Sequence, residues 1–579
     1  MTEEINSEYG QEKKTKKNRK LLIISTIIIV FFAAVAVGVF FVYKIFFTQT
    51  GKIIRLIPDD VKVYLEVNLV KFASEEFMDI SEIILDSLSE LEDIDDDFKE
   101  EILDEFEDEF DLDFEDDIQS WIGQYIGFAV LDYDFDEYYF EITDIESLLV
   151  IESRDKDEAQ AFVEKLVEYW EDELDADVDS DTYEGAEIFS MDNGYDTNAI
   201  TVYRSFVIFS QDEDIIEDAI DQYGKDNLGD LPEYKRVVQE LPNNRFLTAY
   251  VDLGDLMEVY TSIFTGLYGE SVDFEELAQV TVLAAGYSIS ASEDGLIIDS
   301  VSYLDDEDIP EYYEDYYSKS DNGLRLPDLI TEDTILFYTF QNLSETYAAL
   351  MDSSGSISED YLEALELLSE ESIIDFEDLM EALDGEIAIS IFESDEGILE
   401  TLVGLPFGFE VIAETTDVEV IEDMIQDYID SIEDDEELDY YGIEYDIDDV
   451  SFDDYEVTEL LISMDFLGGY ATYYGTGEDL GFISSSLDAL EDGFDDKNLS
   501  SSDVYIEALE ALGDDVSLVF YFDIQAFLNA IDSYAEEMSG EGIDDLEKAF
   551  ESFLVMAAGY NDLSDGVLHS TFLLMMDTD

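Results

Sequence analysis

Chemistry in this sequence would have to come from oxygen. There is no Cys and a single His, His569, so zinc sites of the His/Cys type are excluded by count, and so are a Cys nucleophile and a disulfide. A Ser-His-Asp relay would have to pass through His569, which lies in a strand-like segment near the C-terminus. The expectation for it is a part-buried or edge-strand histidine. Paired carboxylates suit glycosidase-type acid and base work. With 151 Asp and Glu in 579 residues, however, close pairs are unavoidable on any surface. Calcium is the ion this composition favours, because it takes carboxylate oxygens. The stretch LDADVDSDTYE (Leu174 to Glu184) spaces Asp175, Asp177, Asp179 and Asp181 at alternate positions. An EF-hand loop would need Gly where Ser180 stands and Glu where Ala186 stands, so the stretch reads as an acidic loop and a weak calcium candidate. GTGEDLG (Gly475 to Gly481) has the glycines of a dinucleotide loop but not its strand–loop–helix context, and reads as a hairpin turn between GGYATYY and GFISSS. Asn342-Leu343-Ser344 and Asn498-Leu499-Ser500 fit the glycosylation sequon. No catalytic or cofactor-binding residue is expected, and no cofactor beyond nonspecific, low-affinity calcium.

The formal net charge is −127, from 24 Lys and Arg against 151 Asp and Glu. Nearly all the acid lies after Leu56, and from 326 to 496 there is no Lys or Arg. Charge on this scale can signal disorder. Here 46% hydrophobic and 13% aromatic residues, with only six Pro, supply ample core material. The charge repels nucleic acid and anionic lipid headgroups. It favours cations and basic protein partners, and a fold stabilised by added salt.

Six basic residues between Lys13 and Lys20 abut an apolar run, Leu21 to Phe47, that carries one charge, Lys44. A bilayer core takes about 20 apolar residues in helical form. A cleavable signal has an apolar region of about 7–15 residues, and this run continues well past Ala34-Val35-Ala36. The expectation is a retained single span over 21–47, with the basic tail 1–20 cytoplasmic and the body outside the membrane.

Behind the span, strand-like and helix-like blocks recur in one order. IPDDVKVYLEVNL alternates as a strand, SLLVIESRDKDEAQAFVEKLVEYW reads as strand then helix, and VLAAGYSISASEDGLIIDSVSYL reads as a hairpin turning at Glu293-Asp294-Gly295. Echoes follow at a nearly constant offset: ITEDTILFYTFQNL, FGFEVIAETTDVEVIEDMIQDYI and LVMAAGYNDLSDGVLHSTFLLMM. This pattern predicts an α+β fold of two tandem copies of a mixed antiparallel-sheet and helix module, over 56–304 and 327–576, joined by an acidic linker at 305–326.

The opening IPDDVKVYLEVNL, FEDDIQSWIGQYIGFAV, SLLVIESRDKDEAQAFVEKL and LPEYKRVVQELPNNRFLTAYVDLGDL together resemble the bacterial membrane-anchored family known as domain of unknown function 3352 (DUF3352). The likeness covers most of the body. The second copy departs from the pattern, with GEIAISIF in place of WIGQYIGFAV. The resemblance implies an extracytoplasmic domain on one anchor. It brings no established activity, so no functional residue is carried over.

The functional expectation is therefore a non-enzymatic binding or scaffolding protein of the cell envelope. A lipid- or polypeptide-binding carrier would instead show an apolar concavity in each copy. A carboxylate-based hydrolase would show two facing acids in a deep cleft.

Overall fold

The computed structural model describes residues 53–92, 114–136, 141–172, 174, 176–194, 197–225, 227–254, 282–305, 309, 324–341, 379, 382–383, 385–394, 399, 401, 405–433, 443–452, 455–464, 468–477, 479–495, 497–513, 517–539, 543–561 and 563–578. The expected span at 21–47 and the basic tail lie outside these. Among the described residues no helix is long and apolar enough to cross a membrane.

The first ten strands are β1 (Val63–Asn68), β2 (Ile122–Asp136), β3 (Glu141–Ser153), β4 (Asp177–Tyr183), β5 (Ala186–Asp192), β6 (Thr197–Tyr203), β7 (Phe206–Ser210), β8 (Leu247–Asp252), β9 (Val282–Ser292) and β10 (Gly295–Leu304). The second ten are β11 (Thr334–Gln341), β12 (Glu386–Glu393), β13 (Phe407–Glu414), β14 (Ile443–Phe452), β15 (Tyr455–Met464), β16 (Gly468–Thr476), β17 (Leu480–Ser484), β18 (Ser517–Asp523), β19 (Phe553–Tyr560) and β20 (Val567–Met576). The helices are α1 (Leu69–Phe72), α2 (Glu75–Glu92), α3 (Lys156–Asp172), α4 (Glu213–Gln222), α5 (Pro232–Glu240), α6 (Val418–Glu433), α7 (Leu487–Phe494), α8 (Asp503–Leu512), α9 (Ile524–Ser539) and α10 (Asp544–Ala549).

Every strand pair is antiparallel. Followed from partner to partner, the order across the sheet is β4-β5-β6-β7-β3-β2-β1-β8-β9-β10, then β20-β19-β18-β11-β12-β13-β17-β16-β15-β14. Read from either end, the order is the same with each label shifted by ten. The β10–β20 pair is the seam in the middle, and β4 and β14 are the edges. This corrects the expectation of an α+β fold built as two separate modules behind a membrane-spanning helix. The described chain is dominated by one twenty-stranded antiparallel sheet, because β10 does not end its half but accepts β20 along nine residue pairs, Gly295↔Met575 to Tyr303↔Val567. Alternation in the sequence makes the strands, but which edges meet is decided by contacts hundreds of residues apart.

Alternation also sets the two faces. One face carries Tyr64, Leu148, Ile208, Tyr250 and Val301 beneath α4 and α5, and Phe337, Ile412, Phe482, Tyr521 and Leu573 beneath α7 and α8. The other face packs Val202 and Val207 against α3. It also packs Phe553 and Met576 against Ile80 of α2 and Ile524 and Leu528 of α9, so that helices from both halves share one apolar cluster across the seam. Helix starts are fixed by short polar side chains, which accept the otherwise unpaired first amides. Asp212 accepts from Asp214 at α4, and Ser486 from Ala489 at α7.

Candidate functional site at the central seam

The seam brings together the residues with the most unusual surroundings. Asp299 on β10 stands directly opposite Thr571 on β20, and Val301 opposite His569. Directly opposite residues of an antiparallel pair share a face. All four therefore point to the side covered by α5 and α8. The Thr571 hydroxyl donates to Asp299 Oδ1 at 3.1 Å, and His569 Nε2 lies 3.2 Å from the same oxygen. His569 is steadied from the residue just after β19, where the Asn561 amide donates to its carbonyl at 2.8 Å and the Asn561 side chain reaches its Nδ1 at 3.5 Å. Asp299 is only 4% exposed. Asp299 Oδ2 and the hydroxyls of the buried Ser288 and Ser290 on β9 have no hydrogen-bond partner within the protein. From α5, Arg236 donates to the carbonyl of Asp565, tying the helix of the first half to the β19–β20 turn of the second.

The trio contains the residue types of a nucleophilic relay but not its order. In a relay the hydroxyl hands its proton to the imidazole, and the carboxylate sits behind the imidazole. Here the hydroxyl proton is spent on the carboxylate, and the imidazole approaches that same oxygen from the side. No base stands where it would activate Thr571. What the arrangement does chemically is hold β10 and β20 together through the Thr571–Asp299 hydrogen bond, with the His569 ring, itself part-exposed, close beside it. The sequence leads to a part-buried or edge-strand histidine at His569 and gives no role to Asp299. The fold places those two side by side.

The profile of the family described as "Protein of unknown function (DUF3352)" matches residues 23–541. The chain belongs to this family. No curated protein matches it. Among solved structures, crystal forms III and I of TP0453 align at 10% identity over 46% of this chain and 85% and 83% of theirs, with TM-scores of 0.24 and 0.23. A likeness of that size carries no argument about fold or function.

In this DUF3352 chain the proposed calcium row is not the expected loop. Asp177, Asp179 and Asp181 lie on the edge strand β4, exposed, while Asp175 lies outside the described residues. An extended strand separates alternate residues by roughly 7 Å. Calcium needs its oxygens at about 2.3–2.6 Å, so β4 alone spreads its acids rather than wrapping them round one ion. Among the described residues no group of three or more His, Asp or Glu is placed to hold a metal. Gly475 to Gly481 does form the expected hairpin, β16 to β17, closed by Gly477 donating to the Leu480 carbonyl at 2.9 Å.

Other buried carboxylates serve the backbone. Glu386 accepts from the amides of Arg325 and Leu326 at 2.7 and 3.1 Å, which oppose the rise in its pKa that burial causes. The amide of Gln124 donates to Glu152 at 2.8 Å. Arg325 forks onto Asp479 at 2.7 and 3.2 Å and reaches Glu414 at 3.1 Å, and its pairing with Asp479 holds that carboxyl below its usual range.

Proposed function

We propose that this DUF3352 chain is a non-enzymatic scaffolding or binding protein of the cell envelope. The apolar stretch Leu21 to Phe47 holds it at the membrane, with the basic tail in the cytoplasm and the acidic body outside. The observation that carries the reading is the uninterrupted sheet. At about 4.8 Å per strand, twenty paired strands span roughly 90 Å along the hydrogen-bonding direction. Both edges carry alternating acids, Asp177, Asp179 and Asp181 on β4 and Glu444, Asp446 and Asp448 on β14. Charged edges discourage strand addition by other chains, which suits a platform that stays discrete in a crowded envelope. The charge favours basic partners and cations and disfavours nucleic acid.

The test is protease treatment of intact cells carrying an epitope in the first 20 residues and another at the C-terminus. The body and its C-terminal epitope are expected to be lost while the N-terminal epitope survives. Survival of the C-terminal epitope until the cells are lysed would place the body inside and overturn the reading. Turnover of ester, amide or glycoside substrates by the purified chain would overturn its non-enzymatic part.

A further inference from the structure

The two halves differ at one place in the core. Glu410 on β13 lies between Ser390 on β12 and Ser484 on β17. Leu148 on β3 lies in the same way between Ala129 on β2 and Ser210 on β7. The pattern extends to the chain entering each half. Pro58 bridges Asn227 as Thr331 bridges Asn498, so Val61 and Thr334, each three residues on, are counterparts. Where the first half buries Val61, Ala129 and Leu148, the second buries Thr334, Ser390 and Glu410. Glu410 is 0% exposed, and among the described residues neither of its carboxyl oxygens has a side-chain hydrogen-bond partner.

The hydroxyls nearby have spent their protons elsewhere. Thr334 donates to the Thr331 carbonyl at 2.7 Å, so Ser390, at 2.9 Å from the Thr334 oxygen, must be the donor of that pair. Ser484 donates to the Ser486 carbonyl at 3.0 Å. What these groups can still offer Glu410 is lone pairs. A buried carboxylate with only the Thr331 amide to favour its charge is held at high cost, whereas a neutral carboxylic acid avoids most of that cost. Among the described residues no basic side chain compensates. The sequence from 326 to 496 has no Lys or Arg, and Lys497 is engaged by Asp492 at 2.7 Å. Apart from Arg325, which is committed to Asp479 and Glu414, the titratable groups described on the elements around Glu410 are acidic or phenolic. They are Glu386 along β12, Glu414 along β13, Tyr473 on β16, Asp488, Glu491 and Asp492 on α7, and Glu332 and Asp333 before β11. Strands β11 and β17 present none on this face.

We propose that Glu410 is a proton-binding site: in the folded chain it is a neutral carboxylic acid set among the hydroxyl-bearing residues of the second half, and its ionisation loosens that half. Burial pushes its pKa up to about 8, opposed by the Thr331 amide. An unfolded Glu titrates near 4.3. Between those two values the folded state holds a proton that the unfolded state has released. Stability from this group therefore falls as pH rises through that window and is level below it.

The test compares melting midpoints of the full chain with those of Glu410→Gln and Glu410→Leu from pH 4 to pH 9. The advantage of each variant over the parent is expected to grow with pH, reaching about 3 °C or more at pH 9. Parallel profiles would overturn the proposal. Infrared spectra at pH 7 are expected to show a protonated-carboxyl band that Glu410→Gln lacks, and absence of that band in the parent would overturn it too. Should Glu410→Leu not fold, Glu410→Gln and the infrared band decide. Replacing NaCl or KCl by choline chloride at equal ionic strength is expected to leave the parent-to-variant difference unchanged at pH 9. A difference abolished by Na⁺ or K⁺ would make this a metal-cation site instead.

Discussion

Replacing Gly295 by Ala is expected to cost about 3 kcal/mol of folding stability, read as a lowered denaturant midpoint of the full chain. Two penalties combine at this residue. Its φ is +132°, a conformation that L side chains rarely adopt. A Cβ there would also sit 2.2 Å from the Leu574 carbonyl oxygen and 3.0 Å from the Met576 amide. Both are backbone atoms of β20, so no side-chain rotation relieves the clash. Relief would mean moving β10 away from β20 at the first pair of the seam, Gly295↔Met575. The turn has little freedom to move, because Met576 donates to the Asp294 carbonyl and the Thr578 hydroxyl to the Glu293 carbonyl, each at 3.0 Å. Gly185 is the control. It has φ of +85° with nothing within 4 Å of a Cβ, so Gly185→Ala should cost only the conformational part, about 1 kcal/mol. Equal losses at the two sites would mean that the seam yields locally and that the close approach at Gly295 is not rigid.

That hairpin was legible in the sequence. Glu293-Asp294-Gly295 between two alternating runs is a turn with a mechanism, and β9 and β10 meet there. The β16–β17 hairpin and the β3-to-α3 order were legible for similar reasons of local chemistry. The pairing of β10 with β20 was not. Each strand is the last in sequence of its half, and nothing in either strand's alternation says whether its free side meets solvent or another strand. The acidic stretch around Asp177 to Asp181 was misread because four acids at alternate positions look like a solvated loop. On an edge strand that spacing is compatible with β structure, since the charged faces remain in water. His569 was legible as a part-buried or edge-strand residue, but its neighbour was not. The two-fold strand order pairs β10 with β20 at the seam, so the relevant residue was a cross-strand neighbour, Asp299, two residues along β10 from the Val301 that stands opposite His569. Glu410 did leave a signal, a lone acid inside the apolar run FGFEVIA, where the first half has SLLVI. A charge breaking a strand that is otherwise apolar on both faces marks a buried polar site.

Asp299→Ala is expected to cost about 2–3 kcal/mol, because it removes the acceptor of a buried hydrogen bond and leaves the Thr571 hydroxyl without its partner. Asp299→Thr should recover part of the loss, since it restores a hydroxyl pair across the two strands and makes the seam residues identical. The His569 contribution is separable by a double-mutant cycle. Asp299→Ala and His569→Ala should be coupled by about 1 kcal/mol, and additive losses would show that the 3.2 Å approach contributes nothing to stability. The seam also predicts a change in cooperativity. The chain has two tryptophans, Trp121 and Trp170, and both pack in the first half against β6 and β7. Tryptophan fluorescence therefore follows the first half, while far-ultraviolet circular dichroism follows both. With the seam intact the halves share strands and the α2, α9 and α10 cluster, so the two probes should give one midpoint. A weakened seam lets each half unfold by its own stability, and the probes should separate in Asp299→Ala. Coincident transitions in that variant, at an unchanged midpoint, would show that the apolar cluster alone joins the halves and that the Asp299 clasp is incidental to their union.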